Sequence, residues 1–140
     1  MSVSPARQDI SVISQNIAYQ LTRYPAVKLA ILFGSLAAGR ATSDSDLDLG
    51  VAADQPLDID LKTVLIEELA QHLGRPVDLV DLQTARGVIL QQVLTKGRLI
   101  YCSNHLLYAA IIRTMLFNQS DMMPYHDRIL AERRKAWIGT

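Results

Sequence analysis

GSLAAGRATSDSDLDL, residues 34–49, joins two segments of opposite character. On its N-terminal side Val27–Phe33 reads VKLAILF, a short, mostly apolar run bounded by Pro25 and Gly34 that suits a buried strand better than a helix. On its C-terminal side Asp46–Val51 reads DLDLGV, with a period of two. That period sends Asp46 and Asp48 to one face of a strand and Leu47, Leu49 and Val51 to the other. The first strand therefore leads straight into Gly34-Ser35, and the second carries a wet, acidic face.

Working outward, Ser4-Pro5 has the form of an N-cap and first helical position. Ile10, Ile13, Ile17 and Leu21 follow at helical spacing, so a first helix should end near Tyr24-Pro25. Past Pro56, Leu57, Leu61, Val64, Leu65 and Leu69 outline an amphipathic helix that stops at Gly74, with His72 in its last turn. Val77–Leu82, VDLVDL, is a third strand. A helix over Thr84–Leu94 should turn Val88, Ile89, Val93 and Leu94 inward, and Gly97–Tyr101 forms a short fourth strand. The remainder reads as helical, with Tyr108, Ile111, Ile112 and Met115 on one stripe, a break around Asn118–Pro124, and a charged helix from Tyr125 to Ile138. This alternation implies an α/β (α+β) fold, a mixed sheet of about four strands flanked by helices. One domain is expected, with its core over about residues 27–101 and a C-terminal helical segment over about 103–138.

Composition narrows the function classes. Hydrophobic residues make up 49% and charged residues 20%, as a packed soluble domain requires. Lys plus Arg and Asp plus Glu each number 14, so no net field draws the chain to nucleic acid or an anionic membrane. The longest apolar run, Leu106–Ile112, has seven residues, and a membrane-spanning helix needs about 20. Cys102 is the only cysteine, and Met1–Pro5 lacks the features of a signal peptide, so a cytoplasmic location is expected. With no evident His neighbour or helix start, Cys102 is not expected to be catalytic.

The acids carry the chemistry. Glycine at a strand-to-helix turn lets backbone approach a phosphate, and the free N–H groups of the helix that begins there, with the Ser35 hydroxyl, suit a triphosphate. Carboxylates at i and i+2 on a strand have Cα atoms roughly 6.7 Å apart, near enough to converge on two metal ions spaced about 3.5–4 Å. A set of hard oxygen ligands without His or Cys selects magnesium.

Ten residues separate Ser35 from Asp46, and Asp78 follows Asp48 by thirty. This arrangement of Gly-Ser, spacer, Asp-x-Asp and a later strand acid resembles the signature of the DNA-polymerase-beta-like nucleotidyltransferase superfamily, and GSLAAGRATSDSDLDL resembles its minimal, prokaryotic branch most closely. The resemblance implies transfer of a nucleoside monophosphate from ATP to a hydroxyl. Gly34 and Ser35 would bind the nucleotide. Asp46 and Asp48 would hold two magnesium ions, and Asp78 would complete the site of the activating ion and help accept the proton.

The acceptor is set by how little chain surrounds that core. Aminoglycoside nucleotidyltransferases share the core but append a further domain or dimer surface, and RNA-directed members add basic, aromatic-rich regions that this neutral chain lacks. In length, motif and the VDLVDL strand the chain resembles the minimal nucleotidyltransferase antitoxins of HEPN toxin–antitoxin systems. What that resemblance implies is an ATP- and magnesium-dependent protein adenylyltransferase. It would neutralise a HEPN-domain ribonuclease toxin by placing AMP on a tyrosine, within a hetero-oligomeric complex and without membrane or direct nucleic-acid contact. The alternatives are an antitoxin that acts by binding alone and an aminoglycoside nucleotidyltransferase.

The neighbouring polar residues take ordinary roles. Asp44 shares the parity of Asp46 but falls outside the spacing, Arg40 reads as a surface residue, and Asp81 as a turn or capping residue. His72, His105 and His126 lack metal-ligand spacing. Arg128–Lys135 reads as a solvated helix face, and Met122, Met123 and Trp137 as core or docking residues.

Overall fold

In a computed structural model, residues 10–39 and 45–122 are described. The expected cap at Ser4-Pro5 and the charged helix from Tyr125 to Ile138 lie outside them, as do Arg40, Asp44, Met123, His126 and Trp137. The elements run α1 Ile10–Leu21, β1 Val27–Phe33, α2 Gly34–Ala37, β2 Leu47–Ala53, α3 Ile59–Leu73, β3 Val77–Asp81, α4 Val88–Lys96, β4 Arg98–Cys102 and α5 His105–Met122.

The strands form one mixed sheet in the order β3-β2-β1-β4. β1 is antiparallel to β2 and to β4, while β2 and β3 are parallel. A parallel pair needs a crossover, which α3 supplies. Asp58 caps that helix by accepting the Leu61 N–H at 2.7 Å. Gly74 ends it in a left-handed conformation (φ 67°), donating its N–H to the Ala70 carbonyl.

The sheet is covered on both sides. α1 and α3 bring Ile13, Ile17, Leu21, Leu65 and Leu69 onto Ala30, Leu32, Leu47, Leu49 and Val51. α4 and α5 bring Leu90, Val93, Ile111 and Met115 onto Leu29, Ile31 and Ala52. β1 is thus buried on both faces, which is why its sequence is a run and not an alternation. β2 sends Leu47, Leu49 and Val51 to the first layer, leaving Asp48, Gly50 and Ala52 on the second face. At Gly50 a Cβ would come within 2.8 Å of Leu82 Cδ2 and 3.0 Å of Val93 Cγ1, so glycine lets this layer press onto β2 two residues from Asp48.

Four sequence expectations are corrected. The helix expected from Thr84 begins at Val88, because Gly87 just before it takes a left-handed φ of 71° that a continuous right-handed helix does not accommodate. This delay shifts the helix's phase: Leu90 and Val93 are buried, while Val88 and Ile89 are exposed. Val64 is likewise exposed, at 42%, beside the buried Leu65. Of the break expected around Asn118–Pro124, the part up to Met122 does not occur, since α5 runs on to that residue, while Met123 and Pro124 lie outside the described residues; polar residues alone are a weak helix terminator.

Candidate active site

The strand registers assemble the site. Phe33, the last residue of β1, pairs with Asp48 of β2, and Asp48 pairs with Asp78 of β3. Asp48 and Asp78 therefore stand side by side on neighbouring parallel strands, about 4.8 Å apart in the backbone. β1 ends immediately before Gly34, whose φ of 77° turns the chain into α2. The turn lies directly against the acid: a Cβ at Gly34 would collide with the Asp48 carboxylate, with Asp48 Cγ at 3.0 Å. Ser35 follows in the single turn of α2, which is closed by the Ala38 N–H on the Gly34 carbonyl at 3.1 Å.

Asp46 sits just before β2, exposed, on the parity of Asp48. Its backbone is pinned from both sides. The Leu47 N–H donates to the Pro76 carbonyl at 2.9 Å, and Arg75 Nη1 donates to the Ser45 carbonyl at 3.2 Å. Arg75 is 7% exposed, a buried cation that ties the entry of β3 to the residue preceding Asp46. No local pattern marks Arg75, whose burial goes with a fold-level contact thirty residues away.

Electrostatics marks Asp48 as the centre of this group. Burial, then the charge of Asp78, then that of Asp46, push its carboxyl above the usual carboxylate value. An acid held up by two neighbouring acids fits a divalent cation, which would reverse the repulsion. Among the described residues no three acid, His or Cys side chains are drawn into a ready-made ligand cluster, so the fit rests on charge and strand register.

Beside Gly34 opens a cleft of about 310 Å³ lined by Phe33, Gly34, Ala38, Gln92 and Lys96. Neither Gln92 nor Lys96 belongs to any motif legible in the sequence. They come to the site because α4 packs across β1 and β2.

Asp81 takes the turn role expected of it and adds a link. Its carboxylate accepts the Gln83 N–H through Oδ1 and the Leu57 N–H through Oδ2, both at 2.9 Å. Asp81→Ala would strand both donors at a cost of about 2 kcal/mol. Chemical denaturation should show that loss, while nucleotidyl transfer assayed well below the unfolding transition should stay near wild type, because Asp81 lies outside the acid group. A large loss of transfer in the folded variant would place Asp81 in the site.

Among the described residues, neither His72 nor His105 joins Asp46, Asp48 and Asp78 in a metal-holding group. His72 Nε2 meets Glu68 Oε2 at 3.6 Å within α3. The expectation that Cys102 lacks a His neighbour is corrected, since His105, the first residue of α5, brings Nδ1 to 3.6 Å from its Sγ. This pair lies at the β4 edge of the sheet, with β1 between it and the acid-bearing strands.

Known proteins resemble this chain in sequence and in fold. Residues 15–106 match the family described as Polymerase beta, Nucleotidyltransferase. Protein adenylyltransferase MntA of Shewanella oneidensis (strain MR-1) is 37% identical over 91 residues, covering 64% of this chain and 66% of that relative, just under two thirds of its length. A chain from a toxin–antitoxin crystal structure with AMP-PNP superposes with a TM-score of 0.65 at 31% identity, covering 89% of this chain and 95% of the other. A chain from the complex of tri-AMPylated Shewanella oneidensis HEPN toxin with MNT antitoxin gives 0.64 at 28% identity, covering 94% and 97%.

Proposed function

The chain belongs to the polymerase beta nucleotidyltransferase family, and on that footing we propose that it is a protein adenylyltransferase antitoxin, acting from ATP on a tyrosine of a partner HEPN ribonuclease toxin. The observation that carries the reading is the convergence of Gly34, Asp48 and Asp78 at one end of the sheet. Support for the acceptor comes from the likeness to MntA and to a chain crystallised with an AMPylated HEPN toxin. The reading takes the 140 residues as one minimal nucleotidyltransferase domain, working in the cytoplasm within a hetero-oligomer. Among the described residues no helix is long and apolar enough to cross a membrane.

In this mechanism the Gly34 turn brings backbone up to the triphosphate, and the Ser35 hydroxyl donates to a phosphate oxygen. Asp46 and Asp48 would hold two magnesium ions, and Asp78 would help to hold one of them. When bound, these ions activate the acceptor hydroxyl and offset charge at the α-phosphorus. The tyrosine oxygen forms a bond to the α-phosphorus, the bond to pyrophosphate breaks in line with it, and Asp78 helps take the tyrosine proton. The products are the AMP–tyrosine ester and pyrophosphate.

The test is to incubate the protein with α-labelled ATP, magnesium and its HEPN partner, and to repeat this with Asp46→Asn and Asp48→Asn. Label should reach the toxin with wild type alone. Toxin neutralisation that survives both substitutions without label transfer would replace this reading with inhibition by binding. Label transferred to an aminoglycoside would replace it with drug modification.

A further inference from the structure

The geometry points to Lys96 as the cation that receives the triphosphate and its pyrophosphate leaving group; this inference rests on the nucleotidyltransferase reading above. Three acids at one site cancel much of the charge that two divalent ions bring. The triphosphate therefore stays anionic and needs a cation from the protein. Lys96 lines the cleft that opens at Gly34, together with the backbone turn assigned to phosphate. Among the described residues no carboxylate forms an ion pair with it, in contrast to Lys28, which meets Asp54 at 3.8 Å.

The position of Lys96 is rigid at its base. Leu90 and Val93 bury α4 against the sheet, and Gly97 seats the helix end on β1, where a Cβ would lie 3.1 Å from the Leu32 carbonyl. Gln92 stands one helical turn before Lys96 and lines the same cleft, so one face of α4 offers an ammonium and an amide to a single ligand. A flexible four-carbon stem on a fixed root suits a charge that must follow the leaving group as it departs.

The test is equilibrium binding of AMP-PNP and of AMP, each with magnesium, to wild type, Lys96→Ala and Lys96→Arg, with melting curves to verify folding. Lys96→Ala should weaken AMP-PNP about tenfold or more and AMP less than about twofold, and Lys96→Arg should recover most of the loss. Unchanged AMP-PNP affinity in Lys96→Ala, or equal loss for the two nucleotides, would overturn the assignment while leaving the family reading intact. If wild type binds neither nucleotide, the nucleotidyltransferase reading itself falls and takes this inference with it.

Discussion

Asp48→Asn should make the magnesium-free protein more stable while abolishing nucleotidyl transfer. Asp48 is raised in pKa by its burial and by the two acids beside it, so the folded protein holds the Asp48 proton more tightly than the unfolded chain does. Stability from such a group is fully present below the ordinary carboxylate pKa and is lost as pH rises through the higher, folded value. Once ionised in the folded protein this side chain is thus a liability, and asparagine removes the charge without changing shape. Relief of one like-charge contact with Asp78 on the neighbouring strand is worth on the order of 1 kcal/mol, or about 2–4 °C in melting temperature for a chain of this size. Transfer should fall by at least about a thousandfold, since the site loses the charge meant to hold both ions. Magnesium should raise the melting temperature of wild type and scarcely move that of the variant. The stability difference between the two without metal should shrink as pH falls toward the carboxylate range. A variant that melts lower than wild type without metal, or still transfers AMP, contradicts this account of Asp48.

The second large effect is expected at Gly34. Alanine there carries two separate costs, a side chain in a left-handed conformation at φ 77° and a methyl driven into the Asp48 carboxylate. The backbone term is about 1 kcal/mol, and under the proposed function displacing the Asp48 carboxylate by about 1 Å is enough to lower turnover about a hundredfold. Gly74 separates the two terms, since its φ of 67° is similar and a Cβ there would meet nothing within 4 Å. Gly74→Ala should lose stability alone, whereas Gly34→Ala should lose stability and transfer together. Equal transfer rates in the two folded variants would show that the close approach of Gly34 to Asp48 has no part in catalysis.

Much of this site was legible in the residues because its parts are local. β1 matches the expected Val27–Phe33, and β2 and β3 lie within a residue or two of their expected spans. The helix ending at Gly74 follows from a glycine whose left-handed cap leaves a plain signature. What local pattern misses is phase and long-range contact. Val88 and Ile89 are apolar at helical spacing, yet the positive φ of Gly87 delays the start of α4 and leaves Leu90 in the core in their place. Arg75 and Lys96 carry no motif, and their roles follow from what α3 and α4 deliver them beside. Cys102 and His105 are three residues apart across a strand-to-helix corner, a proximity that depends on the corner's geometry and not on the spacing itself.

Asp46 and Asp48 differ in one respect that bears on which cations the site can use. Asp48 is clamped between the ladders of β1 and β3, while Asp46 stands before the strand with an exposed carboxylate. If the two hold cations as proposed, a fixed carboxylate paired with a solvent-facing one would admit divalent ions of different radius, because the outer side chain could follow the ion. Reaction geometry is less forgiving, since the α-phosphorus must be drawn to a set distance from the fixed carboxylate. Under the proposed function, discrimination between magnesium and a larger ion such as calcium would thereby be deferred from capture to turnover, and the larger ion would become an occupant that holds substrate without consuming it.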